Sequence, residues 1–147
     1  MTSDEASAEA DRYLYRSMRS GDDALPLPGA AARLLGVRPG IDLVLNADGA
    51  AQPQTGGLSV APDDPILLPE HRRPLEFGGT GNDPVWRIRV GNLDPRLAYR
   101  PDPDNPEGHG FIEPSTPMPI EAFQAALEAS RSAWTLVEPL RGSERKT

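Results

Sequence analysis

The chain has 147 residues, a formal net charge of -7 and no cysteine. That is one domain's worth of chain, without disulfides or thiolate chemistry, as suits a reducing compartment. The acidic balance argues against a nucleic-acid surface, which needs clustered Lys and Arg, and leaves room only for a local basic pocket.

Proline (17) and glycine (14) make up about one residue in five. That is below the roughly 25–30% of disordered chains, so a compact, loop-rich fold of short strands is expected. No apolar run approaches the roughly 20 residues that cross a bilayer. Residues 1–11 are polar and acidic, unlike a cleavable signal peptide, and read as a disordered lead. The expected location is the cytoplasm, or a target cell's cytoplasm reached by a route without such a peptide.

A single domain is expected over residues 12–138. Arg12-Tyr13-Leu14-Tyr15-Arg16 reads as a first strand, with Tyr13 and Tyr15 on one face and Leu14 and Arg16 on the other. Residues 21–40 read as a loop with one helical turn at 30–35, closed by Pro39-Gly40. Residues 41–45 read as a strand ended by Asn46-Ala47-Asp48-Gly49, where Asp48-Gly49 is hairpin chemistry. Thr55-Gly56-Gly57 then leads into a strand, Leu58-Ser59-Val60, stopped by Pro62. Adjacent glycines carry no Cβ, so a ligand is able to approach the main chain there. The bland alternative is a turn before an ordinary strand.

Ile66-Leu67-Leu68 is short and lies between prolines, and residues 75–83 form a Gly-rich loop. Val85-Trp86-Arg87-Ile88-Arg89-Val90 is the clearest half-buried strand, with Trp86, Ile88 and Val90 inward and Arg87 and Arg89 outward. Strands at 97–100 and 111–113 flank an acidic, proline-rich loop. The last element is a helix with Pro119 in its first turn and Glu121 near its positive end. Ile120, Phe123, Leu127 and Trp134 lie on its apolar stripe, interrupted by Ser130 and stopped by Pro139. Residues 139–147 read as a polar tail. This order predicts an α+β fold with a mostly antiparallel sheet and a C-terminal helix.

Several chemistries fail on inspection. Gly57-Leu58-Ser59-Val60-Ala61 is near a nucleophile elbow, but Pro62-Asp63-Asp64-Pro65 follows where a helix is needed. Asp102, Asp104, Glu107 and His109 do not make a calcium loop: the sixth position is Glu107 rather than Gly, and three prolines stiffen the segment. Two histidines without cysteine make no zinc site. Gly78-Gly79-Thr80-Gly81 lacks the Lys of a phosphate loop. Arg72, Arg73, Arg87 and Arg89 suit either a phosphate cleft or plain solvation.

One constellation remains. Arg16, Ser59 and His109 lie on or beside three strands. An Arg grips a pyrophosphate bidentately, a Ser hydroxyl fixes a ribose or amide, and a neutral His hydrogen-bonds a ribose hydroxyl. Glu113, four residues beyond His109, would stabilise positive charge developing on a sugar ring. Together they suit cleavage of a nucleotide's N-glycosidic bond. Taken singly, they read as a surface cation, a strand filler, a turn residue and an exposed acid.

At these residues the chain resembles a known family. Leu14-Tyr15-Arg16 is similar to the first motif of ADP-ribosyltransferase-like proteins. Asp48-Gly49 followed by Thr55-Gly56-Gly57-Leu58-Ser59-Val60 is similar to their strand-borne Ser/Thr motif. Gly108-His109-Gly110-Phe111-Ile112-Glu113-Pro114 with Met118-Pro119-Ile120-Glu121-Ala122-Phe123 resembles the closing strand and helix of the small type VI secretion effector toxins with this fold. The resemblance spans residues 14–134.

It implies an ADP-ribosyltransferase-like split sheet around a nucleotide cleft, with NAD as cofactor. Arg16 would contact phosphate or ribose, Thr55 and Ser59 would line the nicotinamide side, and His109 would hold ribose. Tyr15 and Gly57, from the same motifs, complete the cofactor-binding set. The implied catalytic set is Arg16, Ser59, His109 and Glu113, the last as the late-strand catalytic Glu, although no Glu-x-Glu surrounds it, which counts against arginine-directed transfer. The implied activity is cleavage of the nicotinamide–ribose bond, by an NAD glycohydrolase or an ADP-ribosyltransferase. An immunity protein is the implied partner. The competing expectations are an RNA 2′-phosphotransferase-like enzyme, disfavoured by the charge, and a non-catalytic domain that binds a partner protein.

Overall fold

The computed structural model describes residues 8–138. Most of the expected lead and the whole of the expected tail lie outside them; residues 8–10 are helical. The fold is α+β. Six strands form one antiparallel sheet: β1 (Tyr13–Ser17), β3 (Leu58–Pro62), β4 (Val85–Arg89), β5 (Leu97–Pro101), β6 (Gly110–Pro114) and β8 (Thr135–Leu136). Their order is β5-β6-β3-β1-β4-β8, and β2 (Ala50–Ala51) pairs separately with β7 (Met118–Pro119). No helix among the described residues is long and apolar enough to cross a membrane.

Alternation builds both faces of this sheet. Leu14, Leu58, Val60, Trp86, Ile88 and Ile112 are buried on the face that packs against the C-terminal helix α1 (Ile120–Ala129) through Phe123, Ala126 and Leu127. The other face carries a smaller cluster of Tyr15, Ala61, Leu68 and Val85. Arg87 lies over the Tyr13 ring at 4.1 Å, so this outward face is a cation–π surface rather than plain solvated charge. Val90 is only half-buried and begins a 3₁₀ turn, Val90–Asn92.

The sheet is not continuous across its middle. β1 pairs with β3 only at Leu14↔Pro62 and Tyr15↔Ala61. Beyond those pairs the strands part, and Leu58, Ser59 and Val60 pair instead with Ile112, Phe111 and Gly110 of β6. On its other edge β1 pairs with β4 along its whole length.

Residues 41–45 are not a strand. Their backbone is consumed locally: Asp42 O accepts from Gly57 N, and Val44 N donates to the Thr55 hydroxyl. Only single bridges remain, Pro39↔Leu43 and Leu45↔Ala51, the latter closing the expected turn at residues 46–49. Ile41 and Val44 are exposed while Leu43 is buried. The expected helical turn at 30–35 is an open turn, with Leu34 N donating to Ala31 O. Residues 65–67 form a 3₁₀ turn capped by Asp64, as do residues 75–77 within the Gly-rich loop.

The helix also ends earlier than its apolar stripe suggests. Pro119 is its N-cap, and Ser130 closes it well before Pro139. The Ser130 hydroxyl donates to Leu127 O at 2.6 Å and accepts from Trp134 Nε1 at 3.2 Å. A hydroxyl that bonds its own preceding turn competes with helix propagation. A 3₁₀ turn (Arg131–Ala133) follows, so Trp134 fills the core from beyond the helix, and the chain returns as β8 beside β4. Replacing Ser130 with alanine leaves the buried indole N–H without its acceptor. The expected loss is about 1–2 kcal/mol in urea unfolding. A change below about 0.5 kcal/mol would show that the indole finds another acceptor.

Candidate functional site

A cavity of about 390 Å³ opens where β1 and β3 part. That volume lies in the range of small-molecule sites. Arg16 and Ser59 line it from the two separating strands, His109 from the approach to β6, and Arg38, Asp42 and Arg72 from the loops above.

Arg16 stands at the split. Its position on β1 places it on the core-facing side, and it is only 7% exposed. Its guanidinium bridges the gap: Nη1 donates to Ser59 O, and Nη2 donates to Ala32 O and Leu34 O, each at 2.9 Å. It replaces missing ladder bonds with side-chain bonds and straps the 32–34 loop to the sheet. Arg72 Nη2 also donates to Ala32 O, so two guanidiniums converge on one carbonyl oxygen. Neither is ion-paired among the described residues, because the nearby carboxylates are already occupied. Asp42 is held by Arg38 at 2.8 Å, and Asp83 by Arg33 at 2.6 Å.

Burial, and after it Arg72, pushes the Arg16 guanidinium down to about 9. Burial is also the main cause that lowers Arg72, with Arg33 and Arg38 adding to it and Asp83 opposing. Both stay charged at neutral pH. The protein is acidic overall, yet this cavity wall is positive. Such a wall suits an anion, which relieves the repulsion between the two guanidiniums.

His109 is fixed from behind. Its Nδ1 lies 2.8 Å from Asp102 Oδ2, and its ring meets Phe111 edge-on at 4.9 Å. Phe111 is the register partner of Ser59, which brings His109 to the same side of the split as the serine. The His109 hydrogen bond, and then the Asp104 N–H, holds the Asp102 carboxyl below its usual range. His71, the chain's other histidine, lines the same cavity.

The remaining expected site residues sit elsewhere. Glu113 is 6% exposed and does not line the cavity; its Oε2 accepts from Gln54 N at 2.6 Å. Gln54 has a positive φ of 64°, so Glu113 secures a left-handed turn residue. Thr55 is exposed, and its hydroxyl donates to Gln52 O. Gly57 packs beneath β6. A Cβ on it would stand 2.4 Å from Ile112 O, and one on Gly56 would stand 2.1 Å from Asp42 O. The close approach that these glycines permit is therefore to the protein's own carbonyls. Tyr15 faces the opposite side of the sheet and lines a shallower cleft with Phe77 and Arg87.

In the sequence Arg72 suits either a phosphate cleft or plain solvation, Asp102 stands out only as a member of a rejected calcium loop, and Arg38 and Asp42 carry no signal as site residues. Arg73 bonds Leu68 O and Phe77 O, and Arg89 pairs with Asp11, so neither Arg contributes to this wall. Among the described residues no group of three or more His, Cys, Asp or Glu is placed to hold a metal ion. Comparison with family models, curated proteins and solved structures gave no match.

Proposed function

We propose that this chain is an ADP-ribosyltransferase-like effector that binds NAD where β1 and β3 part and cleaves its nicotinamide–ribose bond. The observation that carries this reading is the pair Arg16 and Arg72 on Ala32 O, two cations at one point, neither of them ion-paired among the described residues. A pyrophosphate is the anion of matching charge. Ser59 and His109 line the same cavity and offer the hydroxyl and imidazole that a ribose or amide needs. The parting of an otherwise antiparallel sheet supports the split-sheet fold that the resemblance implies. A type VI secretion route and an immunity protein that plugs this cavity belong to the same proposal.

The test is thermal unfolding with and without millimolar NAD, followed by assay of nicotinamide release. A ligand at about a hundred times its Kd adds roughly 2.7 kcal/mol to stability. Arg72→Ala leaves Ala32 O bonded to Arg16, so the loop stays strapped. The expected effect of that substitution is NAD binding weaker by roughly 10–100-fold, the value of a hydrogen bond to a charged group. Absence of both a thermal shift and nicotinamide release would overturn the reading. Capture of a partner protein by a chain that binds no NAD would favour the non-catalytic alternative.

A further inference from the structure

The acidic loop between β5 and β6 does more than solvate. Pro101, Pro103 and Pro106 stiffen it, and its ends are tied by Asp102 N to His109 O at 3.0 Å and by His109 N to Asn105 O at 3.0 Å. The two oxygens of Asp102 are divided. Oδ1 accepts from Asp104 N at 2.9 Å and closes the turn, while Oδ2 faces His109 Nδ1 at 2.8 Å. An ionised carboxylate only accepts, so the proton of a neutral His109 must sit on Nδ1. Nε2 is then the unprotonated nitrogen, and it makes no hydrogen bond among the described residues.

We infer that Asp102 is a positioning residue that locks His109 in the Nδ1–H tautomer and presents Nε2 to the cavity as a hydrogen-bond acceptor. This rests on the reading of the cavity as a nucleotide site and deepens it. An acceptor at this wall selects a ligand group that donates, such as a sugar hydroxyl or a bound water. It rejects a phosphate or carbonyl oxygen at the same point. The cavity thereby divides its labour, with Arg16 and Arg72 for an anion and His109 for a hydroxyl.

The decisive variant is Asp102→Asn. Its Oδ1 keeps the Asp104 N–H, which turns the new amide N–H toward His109 Nδ1. Nδ1 must then accept, and the proton moves to Nε2. Two-bond nitrogen–proton NMR on the ¹⁵N-labelled full chain at pH 8 reads the tautomer directly, without any ligand. The expected result is Nδ1–H in the parent protein and Nε2–H in Asp102→Asn, with an unchanged melting temperature. Nicotinamide release is expected to fall by roughly tenfold or more in kcat, with KM within about twofold. Asp102→Ala should give a mixture of tautomers and an intermediate rate. A parent protein with Nε2–H, or an Asn variant with its tautomer unchanged, overturns the inference. If the parent releases no nicotinamide, the reaction reading fails and the NMR result alone decides the role of Asp102.

Discussion

Gly57→Ala is expected to destabilise the protein by roughly 3–5 kcal/mol, combining an unfavourable left-side backbone with overpacking. Gly57 has a φ of 152°, and the added Cβ would stand 2.4 Å from Ile112 O, a backbone atom of β6. A flexible side chain would move aside; a strand carbonyl held in the β3–β6 ladder does not. The strands must separate, and that exposes Leu58 and Ile112, both buried in the main core. Against a net stability of about 5–15 kcal/mol, the loss is large enough to leave much of the chain unfolded in a marginal background. The control is Gly49→Ala, which shares a positive φ of 79° but has nothing within 4 Å of the new Cβ. Its expected loss is about 1–2 kcal/mol. Urea midpoints for the two variants decide the matter. Equal losses would mean that the backbone angle, and not the strand contact, sets the requirement for glycine.

Arg16→Met is expected to lose about 2–4 kcal/mol, the cost of leaving buried carbonyl acceptors without a donor. Methionine conserves the length of the side chain but leaves Ser59 O, Ala32 O and Leu34 O without their donor. Arg72 still reaches Ala32 O, which keeps the loss below the sum of three orphaned carbonyls. A loss of NAD cleavage in Arg16→Ala would therefore say little about chemistry by itself, because the strap across the split goes with it. Arg16→Lys separates the two contributions: it keeps the charge beside Arg72 but cannot span three carbonyls. It should bind an anion weakly and unfold at an intermediate denaturant concentration. If Arg16→Met unfolds like the parent chain, the guanidinium contributes nothing to the fold, and its role lies wholly with the ligand.

The elements legible in the sequence are those whose side chains alternate against a core. Trp86 and Ile88 between arginines announce β4, and the run Tyr-Leu-Tyr announces β1, because alternating or β-prone side chains mark a strand whichever faces are covered. Residues 41–45 mislead for the same reason. Leu43 alternates correctly, but the backbone groups on either side of it are spent on Gly57 and Thr55, and no pattern of apolar residues records that. Trp134 fits a helical stripe by spacing, yet the hydroxyl of Ser130 ends the helix before it.

The candidate site divides similarly. Arg16, Ser59 and His109 share a cavity because they sit at fixed positions beside strands. Arg72 arrives from a turn, and its guanidinium is placed by tertiary bonds to Ser17 O and Ala32 O. Glu113 lies at the expected position of its strand, but Gln54 N holds it away from the cleft. Asp102 was visible only as one acid in an acidic loop. Its significance comes from the loop's closure onto His109.

The strand order has a consequence for the chain during synthesis. β1 lies between β3 and β4, so neither of its neighbours exists when it leaves the ribosome. Tyr13 waits for Arg89, which emerges about 4–15 s later at roughly 5–20 residues per second. Until β3 emerges Tyr-Leu-Tyr is an aromatic, β-prone segment with both edges open, and one edge stays open until β4 follows. Arg12 and Arg16 bracket it directly. Flanking charges of this kind act as gatekeepers against nascent chains pairing with one another. Arg16 thus guards the strand first, and only afterwards closes over the cavity.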